Sequence, residues 1–152
     1  LSQFLLMSEN IIKIFTDGAC KGNPGMGGWG ALIIDNNEEI EIYGGSLNTT
    51  NNRMELLATI NALKFYDDSK IIELYTDSKY VQNGITDWID NWKKNGWLNA
   101  SKKPVKNIEL WKELDAMSKF HKVDWFWVKG HSNHRENDLA DALANRGIEE
   151  LI

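Results

Sequence analysis

The sequence of 152 residues has few of the features that cross-link or anchor a chain: it contains one cysteine, Cys20, and two prolines. A single cysteine excludes an internal disulfide framework and is typical of a reducing compartment, which favours the cytoplasm. No apolar run approaches the roughly 20 residues that a membrane-spanning helix needs, so we expect no membrane partner. Repeats, low-complexity tracts and proline- or serine-rich linkers are also absent. These absences favour a single domain, which we expect to be a monomer without an obligate protein partner.

The apolar and charged fractions, 42% and 26%, are those of an ordinary globular protein. A chain of this length buries roughly two thirds of its unfolded surface, which is enough for a proper core. The apolar stretch at residues 4–7 has no basic residue before it and no cleavage pattern after it, which argues against a signal peptide. We therefore predict one domain over residues 11–152, preceded by a disordered extension, residues 1–10.

Charge is distributed unevenly along the chain. The net charge is −5, yet residues 88–107 hold five lysines and one acid. This segment, called the basic arm below, carries +4 and leaves −9 for the remainder. Lysines alone would fit a solvated helix face, but Trp88, Trp92 and Trp97 lie among them. Positive charge beside stacking surfaces favours a nucleic-acid strand as the ligand.

Hydrophobic periodicity predicts a mixture of strands and helices. Two β-prone runs end at Asp17 and Asp77, whereas Leu56, Ile60 and Leu63 follow the helical period. The order predicts a mixed α/β sheet whose last two strands run parallel to the first, with a ligand site at their carboxyl ends. The predicted strands are residues 11–16, 29–35, 40–45, 71–76 and 123–128; the predicted helices are residues 52–66, 78–85, 87–94, 106–120 and 136–148. Residues 22–28 are predicted to form a loop and residues 35–38 a hairpin turn.

Four carboxylates lie at positions that this architecture can bring together. Asp17 and Asp77 end strands, Glu55 lies in the first turn of the first long helix, and Asp141 lies in the last helix. Each alone has a structural explanation, as a turn former or as a partner of the helix dipole. Together they would repel one another unless a cation neutralised them, and an all-oxygen cluster suits Mg²⁺ or Mn²⁺. Since Mg²⁺ with open coordination positions binds phosphate oxygens, we expect a phosphodiester or nucleotide substrate.

Several sequence motifs follow one another in a defined order. They are FTDGACKGNPG (residues 15–25), TTNNRMEL (49–56), YTDS (75–78), WKKNGW (92–97), KKPVKN (102–107) and WVKGH (127–131). In this order and spacing they resemble the ribonuclease H family, type 1, and the basic arm is similar to the protrusion of bacterial members. The resemblance extends over residues 11–144. It implies the ribonuclease H-like fold, an α/β fold with a five-stranded mixed sheet flanked by helices.

The resemblance implies an endonuclease that hydrolyses the RNA strand of an RNA–DNA hybrid and leaves 5′-phosphate and 3′-hydroxyl ends. In the family, the carboxylates matching Asp17, Glu55, Asp77 and Asp141 are catalytic and bind two Mg²⁺ ions, for which Mn²⁺ is expected to substitute. The residue matching Asp17 bridges both ions. The family's histidine falls on His131, which is thought to relay protons or to help the product leave. His121 and His134 match no family position, and we expect both to be structural.

The resemblance also implies contacts to each strand of the hybrid. In the family, positions that match Cys20, Asn23, Asn51 and Asn52 line the minor groove of the hybrid. The DNA strand would meet Trp88, Trp92 and a phosphate pocket that matches Thr50 and Asn91. The arm lysines complete the set. The predicted substrate-binding residues are Cys20, Asn23, Asn51, Asn52, Thr50, Asn91, Trp88, Trp92, Lys93 and Lys94.

The sequence departs from the family pattern at Asn48, and three alternative functions stay open. Asn48 occupies a position where many relatives carry a basic residue, which weakens the expected grip on DNA phosphate. Integrases, transposases and junction resolvases also carry clustered carboxylates on such a sheet, and fold alone does not separate them. A hybrid-binding module without catalysis is a second alternative, and an acidic α/β domain with an unrelated small ligand is a third. The 49–56 motif and the basic arm favour the hybrid nuclease over the first alternative, and the presence of all four carboxylates and His131 argues against the second.

Overall fold

The computed structural model describes residues 10–129 and 134–152. Within them, strands and helices follow the order that the sequence predicts. The strands are β1 (Ile11–Gly22), β2 (Gly25–Asp35), β3 (Glu38–Thr49), β4 (Ile71–Thr76) and β5 (Lys122–Trp127). The helices are α1 (Asn51–Lys64), α2 (Lys79–Asn83), α3 (Ile89–Lys94), α4 (Ile108–Phe120) and α5 (Arg135–Glu149), and a π-helical turn (Gly84–Trp88) joins α2 to α3.

The strands form one mixed sheet in the order β3-β2-β1-β4-β5. β1, β2 and β3 pair antiparallel through tight turns, whereas β4 pairs parallel with β1 and β5 parallel with β4. Parallel neighbours require crossovers, and α1 and the α2–α4 segment provide them. The predicted fold class and the parallel orientation of the last two strands are therefore confirmed.

The two faces of the sheet are covered differently. On one face, Ile12, Ile14, Ile72 and Leu74 pack against α1 and α4 in the larger core cluster, which is centred on the buried Trp111. On the other face, α5 packs over β1, β2 and β3 in a smaller cluster of Phe15, Leu32 and Ala140. Alternation along β1 explains the division, because successive side chains of a strand point to opposite faces. The core thus places α1 and α5, which carry Glu55 and Asp141, on opposite sides of β1.

α5 lies unusually close to the sheet because a glycine faces it. A Cβ atom added to Gly28 would lie only 2.0 Å from the carbonyl oxygen of Ala144, one turn beyond Asp141. Any side chain at position 28 would therefore push the helix away. This close approach brings the Asp141 turn of α5 to the strand that carries Asp17.

Local signals explain where the first elements begin and turn. Asn36 and Asn37 both adopt positive φ, 52° and 69°, as a two-residue hairpin turn requires, and asparagine tolerates this conformation. Thr50 caps α1, since its hydroxyl accepts a hydrogen bond from the backbone N–H of Arg53 at 3.2 Å. The predicted hairpin turn at residues 35–38 is confirmed.

Three sequence predictions about element boundaries are wrong. β1 does not end at Asp17 but continues to Gly22, because residues 17–22 stay paired with β2 after the pairing with β4 has stopped. The predicted loop at residues 22–28 is correspondingly reduced to a turn at Asn23-Pro24, whose peptide bond is cis. The third error concerns Glu55, which lies in the second turn of α1, since the Thr50 cap starts the helix earlier than predicted.

The predicted helices 78–85 and 87–94 form one continuous helical segment instead of two separate helices. The chain passes from α2 to α3 through the π-helical turn without a break. Among the described residues, no helix is both long enough and apolar enough to cross a bilayer.

Candidate active site

Asp17 lies where β1 separates from β4 but stays paired with β2. The parallel pairing of β1 with β4 ends at Phe15 and Tyr75, while the antiparallel pairing with β2 continues through Asp17 and Gly30. β4 itself ends at Thr76, and Asp77 follows as an exposed residue before α2. The two aspartates therefore flank the cleft that opens between diverging strands. The N–H of Gly18 donates to the Asp17 carboxylate at 2.9 Å and orients it.

Glu55 reaches the same point from α1 but is buried, with 6% of its surface exposed. Its Oε1 atom has no hydrogen-bond partner among the described residues. A buried carboxylate oxygen without a donor is costly, so the position indicates a ligand that the oxygen is built to meet. Oxygens of Glu55, Asp17 and Asp77 lie within 4.8 Å of one another.

Asp141 joins the cluster from the opposite face of β1. Its carboxyl group is hydrogen-bonded to that of Asp17. A cleft of about 90 Å³ lies between them, open to solvent on one side. Its wall consists of Asp17, Asp77, Asp141, Asp138, Asn137 and Lys129. The structure thus brings together all four carboxylates that the sequence singled out.

The electrostatics of the cluster follow from this crowding. Burial raises the pKa of Asp17 to about 8, and the hydrogen bond to Asp141 and the charges of Asp77 and Asp141 act in the same direction. The pKa of Glu55 lies well above its usual range, first because of burial and then because of the Asp17 and Asp77 charges. Hydrogen bonds from Gly18 and Ser78 oppose this shift only in part. The site therefore favours either a bound proton or a cation between the carboxylates.

The oxygen-only donor set fits a hard divalent cation. Mg²⁺ and Mn²⁺ prefer carboxylate and water oxygens, and Mg²⁺ is bound by a few carboxylates while it retains waters. The orphaned Glu55 Oε1, the raised pKa of Asp17 and the gathered oxygens are three separate signs of such a site. Neither cysteine nor histidine contributes to the described cluster, so zinc does not suit it.

The three histidines fall in different surroundings. His131 belongs to residues 130–133, which lie outside the described part of the chain. His121 is buried between two backbone groups: its Nδ1 accepts from the N–H of Lys70 at 3.0 Å and its Nε2 lies 2.7 Å from the carbonyl oxygen of Leu63. Both ring nitrogens are thereby satisfied, as expected of a structural residue. His134 is exposed and directly precedes α5.

The residues predicted to line the minor groove gather beside the β1–β2 turn and the start of α1. The Asn23 side-chain oxygen accepts from the N–H of Asn51 at 3.3 Å, which ties the turn to the helix. The Cys20 sulfur lies 3.5 Å from the carbonyl oxygen of Thr49. Thr50 and Asn52 complete the group at the first turn of α1. A small polar surface thus borders the carboxylate cluster.

The basic arm is built on an aromatic cluster. The Trp88 and Trp92 rings lie 6.3 and 5.4 Å from the buried ring of Trp111, and the Trp97 ring lies 6.1 Å from that of Trp92 at a tilt of 37°. Most of the tryptophan surface that the sequence offered for stacking is therefore used within the protein. Asn91 and Lys94 are exposed.

Lys93 differs from the other arm lysines. Its ammonium group contacts the Asp115 carboxylate of α4 at 2.8 Å, which neutralises its charge. The sequence analysis did not foresee this pair, because Asp115 lies outside the arm and only the packing of α3 against α4 brings the two groups together.

Sequence analysis also missed Asp138, Asn137 and Lys129 as lining residues of the cleft. Asp138 could have been found, since it precedes Asp141 by three residues and therefore lies on the same helix face. Lys129 brings positive charge to an otherwise acidic cleft; it lies in the WVKGH motif, but the motif itself did not indicate a role for it.

Comparisons with known proteins agree with this geometry. The family model for RNase H matches residues 9–149. A ribonuclease H of Dechloromonas aromatica is 58% identical over 146 residues, which cover 96% of this chain and 99% of that protein. A ribonuclease H of Alcanivorax borkumensis is 58% identical over 143 residues, 94% of each chain.

Among solved structures, LC9-RNase H1, a type 1 RNase H with the type 2 active-site motif, is 28% identical. It superimposes with a TM-score of 0.83 over 95% of this chain and 74% of that chain. The matched residues include both strand ends, α1 and α5, and hence all four carboxylates. On this evidence the chain belongs to the ribonuclease H family.

Proposed function

We propose that the protein is an endonuclease that hydrolyses the RNA strand of RNA–DNA hybrids with two Mg²⁺ ions and leaves 5′-phosphate and 3′-hydroxyl ends. The observation that carries the proposal is the convergence of Asp17, Glu55, Asp77 and Asp141 from four elements onto one cleft. A binding module would have no use for four crowded carboxylates, in which burial and neighbouring charges raise the pKa values of Asp17 and Glu55. The names of the relatives at 58% identity support the same activity.

The four carboxylates would hold the ions: oxygens of Glu55 and Asp77 lie within 4.8 Å of an Asp17 oxygen, and Asp141 approaches Asp17 from α5. When bound, the metal supplies a water of lowered pKa and neutralises charge that develops on the phosphodiester. The protein's part is to gather and orient the four carboxylates, and the bound cations would favour their ionised forms. The Gly18 N–H contributes through its hydrogen bond to Asp17. We assign proton relay or product departure to His131.

Recognition of the hybrid would involve two surfaces on either side of the cleft. The polar group around Asn23, Asn51 and Asn52 would meet the minor groove, where amide groups can sense the RNA 2′-hydroxyl. The phosphate pocket of Thr50 and Asn91 and the basic arm would hold the DNA strand. Trp88 and Trp92 would contribute their exposed edges, and Lys94 more charge than the paired Lys93. With one cysteine and no disulfide, we further propose a cytoplasmic monomer.

A cleavage assay tests the proposal directly. End-labelled RNA is offered as an RNA–DNA hybrid, as double-stranded RNA and as single-stranded RNA, with Mg²⁺, with Mn²⁺ and with chelator. We expect cleavage of the hybrid only, and only with metal. End analysis of the fragments reads out the 5′-phosphate and 3′-hydroxyl groups.

The matched control is the Asp77→Asn variant, which keeps the side-chain shape and removes one ligand charge. Cleavage should fall by about 10² or more while folding is retained. Undiminished activity of this variant would remove Asp77 from the site. Binding of the hybrid without any cleavage by the unmodified protein would favour a non-catalytic module, and cleavage of DNA alone would favour a resolvase or integrase.

A further inference from the structure

We propose that a hydrogen-bond network of Arg53, Tyr80 and Asn107 positions the basic arm relative to the carboxylate site. Asn107 is the last residue of the arm. Its carboxamide is held from two sides by residues that belong to the metal-bearing part of the fold. The inference rests on the proposed function, since the arm's position matters only if the arm grips a nucleic acid.

Both ends of the Asn107 side chain are engaged. Its Oδ1 accepts from the Arg53 guanidinium at 2.9 Å, and its Nδ2 donates to the Tyr80 hydroxyl at 3.0 Å. The same hydroxyl accepts from the indole N–H of Trp111 at 3.0 Å. Arg53 also contacts Glu109 at 2.7 Å. Asn107 itself adopts a left-handed conformation, φ 60°, where the chain leaves the arm and enters α4.

The partners of Asn107 are close in sequence to metal ligands. Arg53 precedes Glu55 by two residues on α1, and Tyr80 follows Asp77 by three residues at the start of α2. One carboxamide therefore joins the end of the arm to two of the elements that carry the cluster. The Tyr80 ring extends the link, since it contacts Trp88 at 5.7 Å and Trp111 at 5.1 Å.

The arm is also attached to α4 by other described contacts, since Trp88 and Trp92 pack on Trp111 and Lys112 lies over the Trp97 ring. The Lys93–Asp115 pair holds its first part to α4. Between Lys93 and Asn107 the arm closes on itself, through Leu98 and Pro104 and through the hydrogen bond from Val105 to Trp97. Loss of the Asn107 network would therefore change the orientation of this closed segment rather than unfold it. Lys94, Lys102, Lys103 and Lys106 would then shift together relative to the cleft.

The network contributes to stability mainly through the Tyr80 hydroxyl, which is the acceptor for the indole N–H of the fully buried Trp111. Arg53 and Glu109 are partly exposed, so their ion pair stabilises the fold only slightly. Binding of a hybrid requires several phosphates to be contacted at once while the scissile bond lies at the carboxylates. A displaced arm loses several of these contacts together.

The test is a double-mutant cycle on hybrid affinity, measured in chelator so that binding is read without hydrolysis. Tyr80→Phe keeps the ring and removes the hydroxyl. It is combined with an arm-neutralised background in which Lys94, Lys102, Lys103 and Lys106 are glutamine. We expect Tyr80→Phe to raise Kd roughly three- to tenfold in the native background and to have little effect in the neutralised one. Asn107→Gly, which accommodates the positive φ but lacks the carboxamide, should behave in the same way.

Tyr66→Phe is the matched control. It also removes a half-buried tyrosine hydroxyl, which donates to Asp35 at 2.7 Å, but it lies far from the arm. Its Kd should equal that of the unmodified protein even though its stability falls. Thermal unfolding of all variants separates loss of fold from loss of affinity.

The outcomes distinguish the inference from the function on which it rests. If the arm-neutralised protein binds the hybrid with unchanged affinity, the arm is not a hybrid-binding surface and that part of the proposed function fails. If neutralisation weakens binding while Tyr80→Phe and Asn107→Gly do not, the network does not position the arm. Equal effects of Tyr80→Phe in both backgrounds would also overturn the inference.

Discussion

At the scale of single residues, the site is a conflict between burial and charge. Asp17 and Glu55 are drawn out of water by the packing of α1 and α5 on β1, and this burial is the largest cause of the raised pKa of each. Ordinary aspartates lose their proton near pH 4. The metal-free protein therefore holds protons in its cleft at a pH where other surface carboxylates are ionised.

This conflict makes the stability of the metal-free protein depend on pH. The pKa of Asp17 is about 8 in the folded state and ordinary in the unfolded state. Its contribution to stability is therefore complete below about pH 4 and is lost as the pH rises through about 8. We expect the free energy of unfolding in chelator to fall between pH 5 and pH 9, and the fall to be smaller in Asp17→Asn. Denaturant titrations at pH 5 and at pH 9 measure this. An equal fall in the free energy of unfolding for the two proteins would contradict the raised pKa of Asp17.

Lys102 offers a second prediction at this scale. It is exposed and adopts φ 60°, a conformation that costs a residue with a side chain about 1–2 kcal/mol. Lys102→Gly should therefore stabilise the protein by about 1 kcal/mol, after allowance for the greater freedom of glycine in the unfolded chain. Lys103→Gly is the control, because it removes the same charge where φ is not positive. It should leave stability unchanged or lower it.

At the scale of elements, the sequence predicted most helices and strands but not how they meet. β4 was predicted over its observed residues because a buried alternating run is bounded by polar residues on both sides. β1 was cut short at Asp17, since composition alone does not reveal that one strand keeps a partner on one side after losing the partner on the other. The π-helical turn could not be predicted for a similar reason, because it packs against Trp111, which lies on a helix distant in sequence.

The π-helical turn gives the prediction at this scale. A Cβ atom on Gly84 would lie 2.0 Å from the Trp111 ring, which is itself fully buried. Although alanine favours helices over glycine, Gly84→Ala should destabilise the protein by about 1–3 kcal/mol through overpacking. Thermal or denaturant unfolding measures this. Gly84→Ala combined with Trp111→Phe should recover part of the loss, and stabilisation by the single substitution would show that the ring can move aside.

At the scale of the whole molecule, the negative body and the positive arm divide the work of binding. The charge balance was readable from the sequence, as were the four carboxylates, because three of them lie in the quoted motifs and Asp141 lies in the predicted last helix. The pairing of Lys93 with Asp115 and the cleft position of Lys129 were not readable, since both depend on which distant elements pack together. Under the proposed function, fewer cations would therefore contact the nucleic acid than the sequence count suggests.

Two neighbouring lysines test this partition. Lys94 is exposed, whereas Lys93 is paired. Lys94→Gln should lower the slope of log K against log salt for hybrid binding by roughly one unit, and Lys93→Gln should lower it by clearly less. Affinity measured at several KCl concentrations gives both slopes. Equal slopes for the two variants would mean that nucleic acid displaces Asp115 from Lys93.

The position of α5 has a consequence for synthesis of the protein. α5 covers the second face of β1, β2 and β3 and carries Asp141, whereas Asp17 lies near the start of the domain. Nearly the whole chain must therefore leave the ribosome before the fourth carboxylate can meet the first. A nascent chain cannot assemble the complete metal site, so the ability to cut nucleic acid arises together with the completed fold.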